Sequence, residues 1–204
     1  GCATTGTPIE VKLIGFNDYH GNLQSPGSFA PNLALPAAQR VPVGGAEYIA
    51  AHANKLKAQN PNHAVVGAGD MIGATPLISS LFHDEPSVET LNRIGLEFNA
   101  VGNHEFDEGV DELLANGVQP MATLYHWKVG TPVPFEGARF QWLSANVVVS
   151  ATGQTLLPAY GVKRFNGVPV AFIGMTLKDT PGIVVPTGVA GLEFRDEAAT
   201  VNAL

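Results

Sequence analysis

Three short apolar runs in this 204-residue chain each break into a polar cluster, and that recurrence restricts the fold more than any other feature. Val11-Lys12-Leu13-Ile14-Gly15-Phe16 leads into Asn17-Asp18-Tyr19-His20-Gly21. His63-Ala64-Val65-Val66 leads into Gly67-Ala68-Gly69-Asp70-Met71-Ile72-Gly73. Phe98-Asn99-Ala100-Val101 leads into Gly102-Asn103-His104-Glu105-Phe106-Asp107. Short apolar runs bounded by glycine read as strands. Between them, residues 46–59 and 87–94 carry apolar side chains at helical spacing. Strands alternating with helices predict an α/β chain with parallel strands. Ligands of such sheets bind beyond the carboxyl ends of the strands, where all three clusters fall.

The clusters supply carboxylate, imidazole and amide groups. Asp18 and His20 stand two residues apart, a spacing that places both side chains on one side of an extended segment. The glycines around Asp70 allow a close backbone approach. Asn103 and His104 add a neutral oxygen and a titratable ring, and Asp107 reads as the N-cap of the helix that follows. Glu105 reads as a solvated turn residue. Hard and borderline divalent ions take such oxygen and nitrogen ligands.

Three clusters in this order resemble the signature of the calcineurin-like metallophosphoesterases. The wording Asn17-Asp18-Tyr19-His20-Gly21 and Gly102-Asn103-His104-Glu105-Phe106-Asp107 is most similar to the branch of bacterial 5′-nucleotidases, UDP-sugar hydrolases and 2′,3′-cyclic-nucleotide phosphodiesterases. Ser144-Ala145-Asn146-Val147 resembles the same family. The resemblance implies a four-layer α/β/β/α sandwich and a two-metal phosphoesterase acting through metal-bound hydroxide. It implies Asp18 and His20 on one ion, Asp70 bridging two, and Asn103 on the second. It further implies His104 as general acid, held by Asp107. The ions implied are Mn, Zn, Mg or similar. The substrate implied is a nucleotide or another small phosphate ester, with nucleoside monophosphate, UDP-sugar and cyclic nucleotide all left open.

The family pattern also requires downstream histidines, including a Gly-His-x-His block, and a separate domain that grips the base. After His104 this chain has only His126. The expectation is therefore the N-terminal part of a longer protein, a sandwich incomplete at its C-terminus, and weak or no activity alone. The alternative is a non-catalytic periplasmic or surface binding protein with a partial metal site.

Composition narrows the partners. A net charge of −7 argues against a binder of nucleic-acid polymers, which would need a basic face. Charged residues make up only 14% against 45% hydrophobic, which excludes a disordered chain. The one cysteine, Cys2, permits no intrachain disulfide. Gly1-Cys2 resembles a lipoprotein cleavage remnant, so residues 1–8 are expected to be a leader with a possible lipid anchor at Cys2. Residues 9–204 are expected to form the domain, in an exported protein of the periplasm or cell surface. Oligomeric state is open.

The remaining stretches carry further expectations. Residues 9–16 form a strand buried on most of both faces, and 24–45 a surface loop. His52 packs within its helix, and His83 is a solvated turn residue. Ser87 caps the 87–94 helix, whose Val88, Leu91 and Ile94 face inward. Residues 107–116 are helical, and 117–139 form a loop insertion holding His126-Trp127. Residues 140–149 are one strand, and Asn166-Gly167 joins two strands in a hairpin. Residues 193–195 are a short strand, followed by a helix from Asp196.

Overall fold

A computed structural model describes residues 7–30, 32, 34–117 and 135–204, with backbone alone for 115–117. Cys2, most of the leader and the His126-Trp127 pair lie outside the described residues. The strands are β1 (Lys12–Phe16), β2 (Gly27–Phe29), β3 (Val41–Val43), β4 (His63–Gly67), β5 (Phe98–Ala100), β6 (Gln141–Leu143), β7 (Val147–Val149), β8 (Tyr160–Phe165), β9 (Val168–Ile173) and β10 (Leu192–Phe194). The helices are α1 (Ala46–Lys57), α2 (Leu77–Ser80), α3 (Glu85–Ile94), α4 (Val110–Gly117) and α5 (Glu197–Ala203).

β1, β4, β5 and β6 form one parallel sheet in that order. Its register matters for the site. Phe16 pairs with Gly67, and Gly67 with Asn99, so β1 and β4 end level and β5 runs one residue further, to Ala100. The polar clusters that follow must therefore meet at one rim. α1 packs on β1, β4 and α3. Val88, Leu91 and Ile94 of α3 are fully buried, as the helical spacing predicts. Burial of each contributes about 1.5–3 kcal/mol. Gly95 ends α3 in the left-handed region, and the N–H groups of Gly95 and Leu96 both return to Leu91 O at 3.1 Å.

The hairpin of β8 and β9 turns at Asn166-Gly167, both with positive φ, which is the type I′ geometry the dipeptide predicts. It lies close on the parallel sheet. Phe172 stacks on Phe98 at 4.6 Å, and a Cβ on Gly161 would overlap the Phe98 ring. Lys163 ties the hairpin to the sheet by donating to His63 O at 2.8 Å and Glu97 Oε2 at 2.5 Å.

Several expectations are corrected. β1 is an edge strand with Leu13 57% exposed, because β4 is its one partner among the described strands. The 24–45 loop contains the exposed hairpin of β2 and β3 and a 3-10 turn at Ala37–Gln39. His52 is exposed on α1. Ser87 lies buried inside α3, which begins two residues earlier. Residues 140–149 are two strands in two sheets, β7 pairing antiparallel with β10. At the break a side chain replaces the strand ladder. Buried Asn146 donates to Thr176 O (2.6 Å) and Arg195 O (2.9 Å) and accepts from Thr176 N–H (2.8 Å). This mimics backbone pairing and turns the chain out of the first sheet. The final helix follows Asp196, whose side chain accepts from Ala199 N–H at 2.8 Å as an N-cap. No helix among the described residues is long and apolar enough to cross a membrane.

Candidate metal centre

The loops after β1, β4 and β5 are joined backbone to backbone. Asp18, His20 and Gly21 donate their N–H groups to Gly69 O, Asp70 O and Met71 O at 3.1–3.3 Å. His104 N–H donates to Asp70 Oδ1 at 3.0 Å. Glycines let the loops approach this closely. A Cβ on Gly102 would sit 2.2 Å from Asp70 Oδ1, and one on Gly73 would sit 2.1 Å from His104 O.

His20, Asp70 and His104 converge, each offering a ligand atom within 4.8 Å of the others. The two rings meet edge to face at 4.9 Å. Asp18 Oδ1 lies 3.7 Å from His20 Nε2, and Asp18 Oδ2 accepts from the Asn17 side chain. Asp18 and His20 do share a side, but not on an extended segment. Their φ values are 53° and 43°, and that of Asp70 is 55°. Left-handed backbone costs a non-glycine residue about 1–3 kcal/mol and concentrates at functional sites. Asn103 opens the 3-10 turn His104–Phe106, partly exposed on the same rim.

The donor set fits a divalent cation. His20 Nδ1 lies 2.8 Å from Gly73 O, a bond that places the proton on Nδ1 and leaves Nε2 as the free ligand atom. A backbone carbonyl in that role is the usual support of a metal-binding histidine. His104 is held differently. Its Nδ1 bonds Asp107 Oδ2 at 2.8 Å across the 3-10 turn. Burial pulls its pKa down, but the hydrogen bond and charge of Asp107, with the charges of Asp70 and Glu105, outweigh this and raise it above 6.5. The N-cap alternative for Asp107 is not observed, since α4 starts three residues later at Val110.

Glu105 is corrected most sharply. It is 2% exposed and accepts from the N–H groups of Asp70, Met71, Ile72 and Gly102. Burial pushes its carboxyl up to about 7, against the pull of those donors. Asp84 is a second carboxylate held in the same way. It is buried and accepts from Gly73 N–H (3.0 Å), Thr75 Oγ1 (2.6 Å) and Ser79 Oγ (2.6 Å). An acidic residue in a turn motif carries no sequence mark that separates solvated from buried. His83 is half-exposed and pairs with Glu108 at 3.1 Å.

No family model matches the chain. An uncharacterized protein of the pqq-V 5′ region of Acinetobacter calcoaceticus is 49% identical, over 78% of this chain and 80% of that protein. Endonuclease YhcR of Bacillus subtilis is 38% identical over 95% of this chain, and a 5′-nucleotidase of Vibrio cholerae 33% over 69%. The chain spans 15% and 22% of those two proteins. The structure of Haemophilus influenzae NAD nucleotidase superposes with a TM-score of 0.72 at 26% identity, covering 96% of this chain and 35% of that one. The parallel sheet with carboxylate, imidazole and amide groups at its strand ends agrees with these relatives. The chain belongs to the calcineurin-like metallophosphoesterase superfamily, in its 5′-nucleotidase branch.

Proposed function

We propose that this chain carries metal ligands of a phosphoesterase that hydrolyses nucleotide phosphate esters. The observation that carries the reading is the convergence of His20 and Asp70, two of the proposed ligands, with the proposed proton donor His104 within 4.8 Å at one rim. Asp18, His20 and Asp70 would hold one divalent cation, and Asp70 and Asn103 would contribute to a second; Mn, Zn and Mg all suit these donors. Such ions, when bound, supply Lewis-acid polarisation of the phosphate and an acidified water.

The residues do the rest. Asn103 adds an oxygen without charge, which keeps the rim attractive to an anion in a chain of net charge −7. His104 presents Nε2 to the leaving oxygen and gives it a proton, while Asp107 fixes the ring through Nδ1 and favours the charged form. The same negative charge favours a small nucleotide over a nucleic-acid polymer. In this reading the domain is residues 9–204 behind a leader of residues 1–8, and the protein works outside the cytoplasm.

Manganese titration of the chain and of Asp70→Asn tests the reading. At least one ion bound by the parent and lost in the variant is the expected result. Equal binding by both removes Asp70 from the centre and overturns the assignment.

A further inference from the structure

Five successive backbone N–H groups, from Gly69 to Gly73, all point at buried side-chain oxygens. Gly69 N–H donates to Asn99 Oδ1 at 3.3 Å. Asp70 N–H donates to Glu105 Oε2 at 2.9 Å, and Met71 and Ile72 N–H to Glu105 Oε1 at 2.6 and 3.4 Å. Gly73 N–H donates to Asp84 Oδ2 at 3.0 Å. Glu105 reaches across as well, since Oε2 also accepts from Gly102 N–H at 2.6 Å. A run of N–H groups curved in this way is an anion-binding nest, and here the chain's own carboxylate fills it.

We propose that Glu105 is a positioning residue that sets the Asp70 loop against the Asn103 loop and so fixes the spacing of the metal ligands. Each of its oxygens binds a different part of the assembly. Oε2 joins Asp70 N–H to Gly102 N–H, the residues bearing or preceding two candidate ligands. Oε1 holds the next two N–H groups of the Asp70 loop. Burying a carboxylate is costly unless donors replace water, and four N–H dipoles do so here. The loop needs this anchor because Asp70 sits at φ 55°, a conformation that persists only where surroundings enforce it. Glu105 is buried, and every bond its carboxylate makes is to backbone N–H. It acts through the backbone of the loops that bear the candidate ligands.

Glutamine is close in size but offers one carbonyl oxygen. Its NH₂ must face either the Asp70 and Gly102 pair or the Met71 and Ile72 pair, donor against donor. The inference rests on reading Asp70 and Asn103 as ligands, so two measurements are made on the full chain. Amide hydrogen exchange without metal reads the clamp directly, and manganese calorimetry reads its consequence. In Glu105→Gln, protection of the Asp70, Met71, Ile72 and Gly102 amides is expected to fall. Manganese affinity should fall about 10- to 100-fold with the α3 amides still protected, the range for losing a group that orients metal ligands. A folded variant with parent affinity for manganese overturns the proposal. If Glu105→Gln does not fold, Glu105→Asp keeps both oxygens but withdraws them by one methylene. It should show the same two losses, and unchanged affinity there also overturns the proposal. If the parent binds no manganese, the metal reading fails by itself. The clamp then stands or falls on whether the four amides lose protection in the variant.

Discussion

Alanine at position 102 tests the closest approach in the site. Gly102 does not have positive φ, so alanine brings no backbone strain there. What it brings is a Cβ 2.2 Å from Asp70 Oδ1, 2.7 Å from Asp70 N and 2.9 Å from Asp70 Cγ. Ordinary contact distances require the carboxylate to retreat by roughly 1 Å. Metal sites tolerate ligand displacements of about 0.2 Å. Losing a mere supporting group already weakens metal affinity about 10- to 100-fold. Displacing the ligand itself should therefore cost about 100-fold or more, or about 2.8 kcal/mol at 1.4 kcal/mol per tenfold. Manganese calorimetry on the parent, Gly102→Ala and Gly182→Ala measures it. Gly182 has nothing within 4 Å of its would-be Cβ and no left-handed φ, so its variant should bind as the parent does. Gly102→Ala binding as tightly as Gly182→Ala would refute the reasoning.

Two further predictions concern the groups around the centre. Asp84→Asn keeps the left-handed backbone that asparagine tolerates but puts an NH₂ against either Gly73 N–H or the Thr75 and Ser79 hydroxyls, so either Gly73 N–H loses its acceptor or both hydroxyls must reverse. That costs about 1–3 kcal/mol, a fall in Tm of roughly 2–12 °C for a domain of this size, and an unchanged melting curve would contradict it. The hydrogen bond from Glu108 raises the His83 pKa despite partial burial, so the stabilisation it brings is full below pH 6.5 and is lost as pH rises through the folded value. An NMR titration should show the His83 ring titrating above 6.5 in the parent and lower in Glu108→Gln. Coincident curves would mean that Glu108 is not the cause.

The periodicities fared well where one local rule decided. Alternation of apolar runs and helical stretches was enough for the α/β class. Val88, Leu91 and Ile94 are buried because an amphipathic helix has one face to bury, whatever it packs on. Asn166-Gly167 makes its hairpin because few other dipeptides accept positive φ twice. The rule failed at residues 140–149, where strand propensity is continuous but a single buried asparagine diverts the chain into a second sheet. It failed at β1 too, since an apolar run does not say which neighbour a strand will have.

By itself the sequence determined the kinds of group that reach the rim: carboxylate, imidazole and amide, each at the end of a strand. These are written in residue type and order. Their meeting was decided by the parallel register, which sets Phe16, Gly67 and Asn99 side by side at the rim. Glu105 and Asp84 were decided by tertiary structure alone. A carboxylate in a turn is solvated or buried according to which N–H groups the rest of the fold brings to it. Those donors lie 33–35 residues away in the chain for most of Glu105's bonds, beyond the reach of any local pattern.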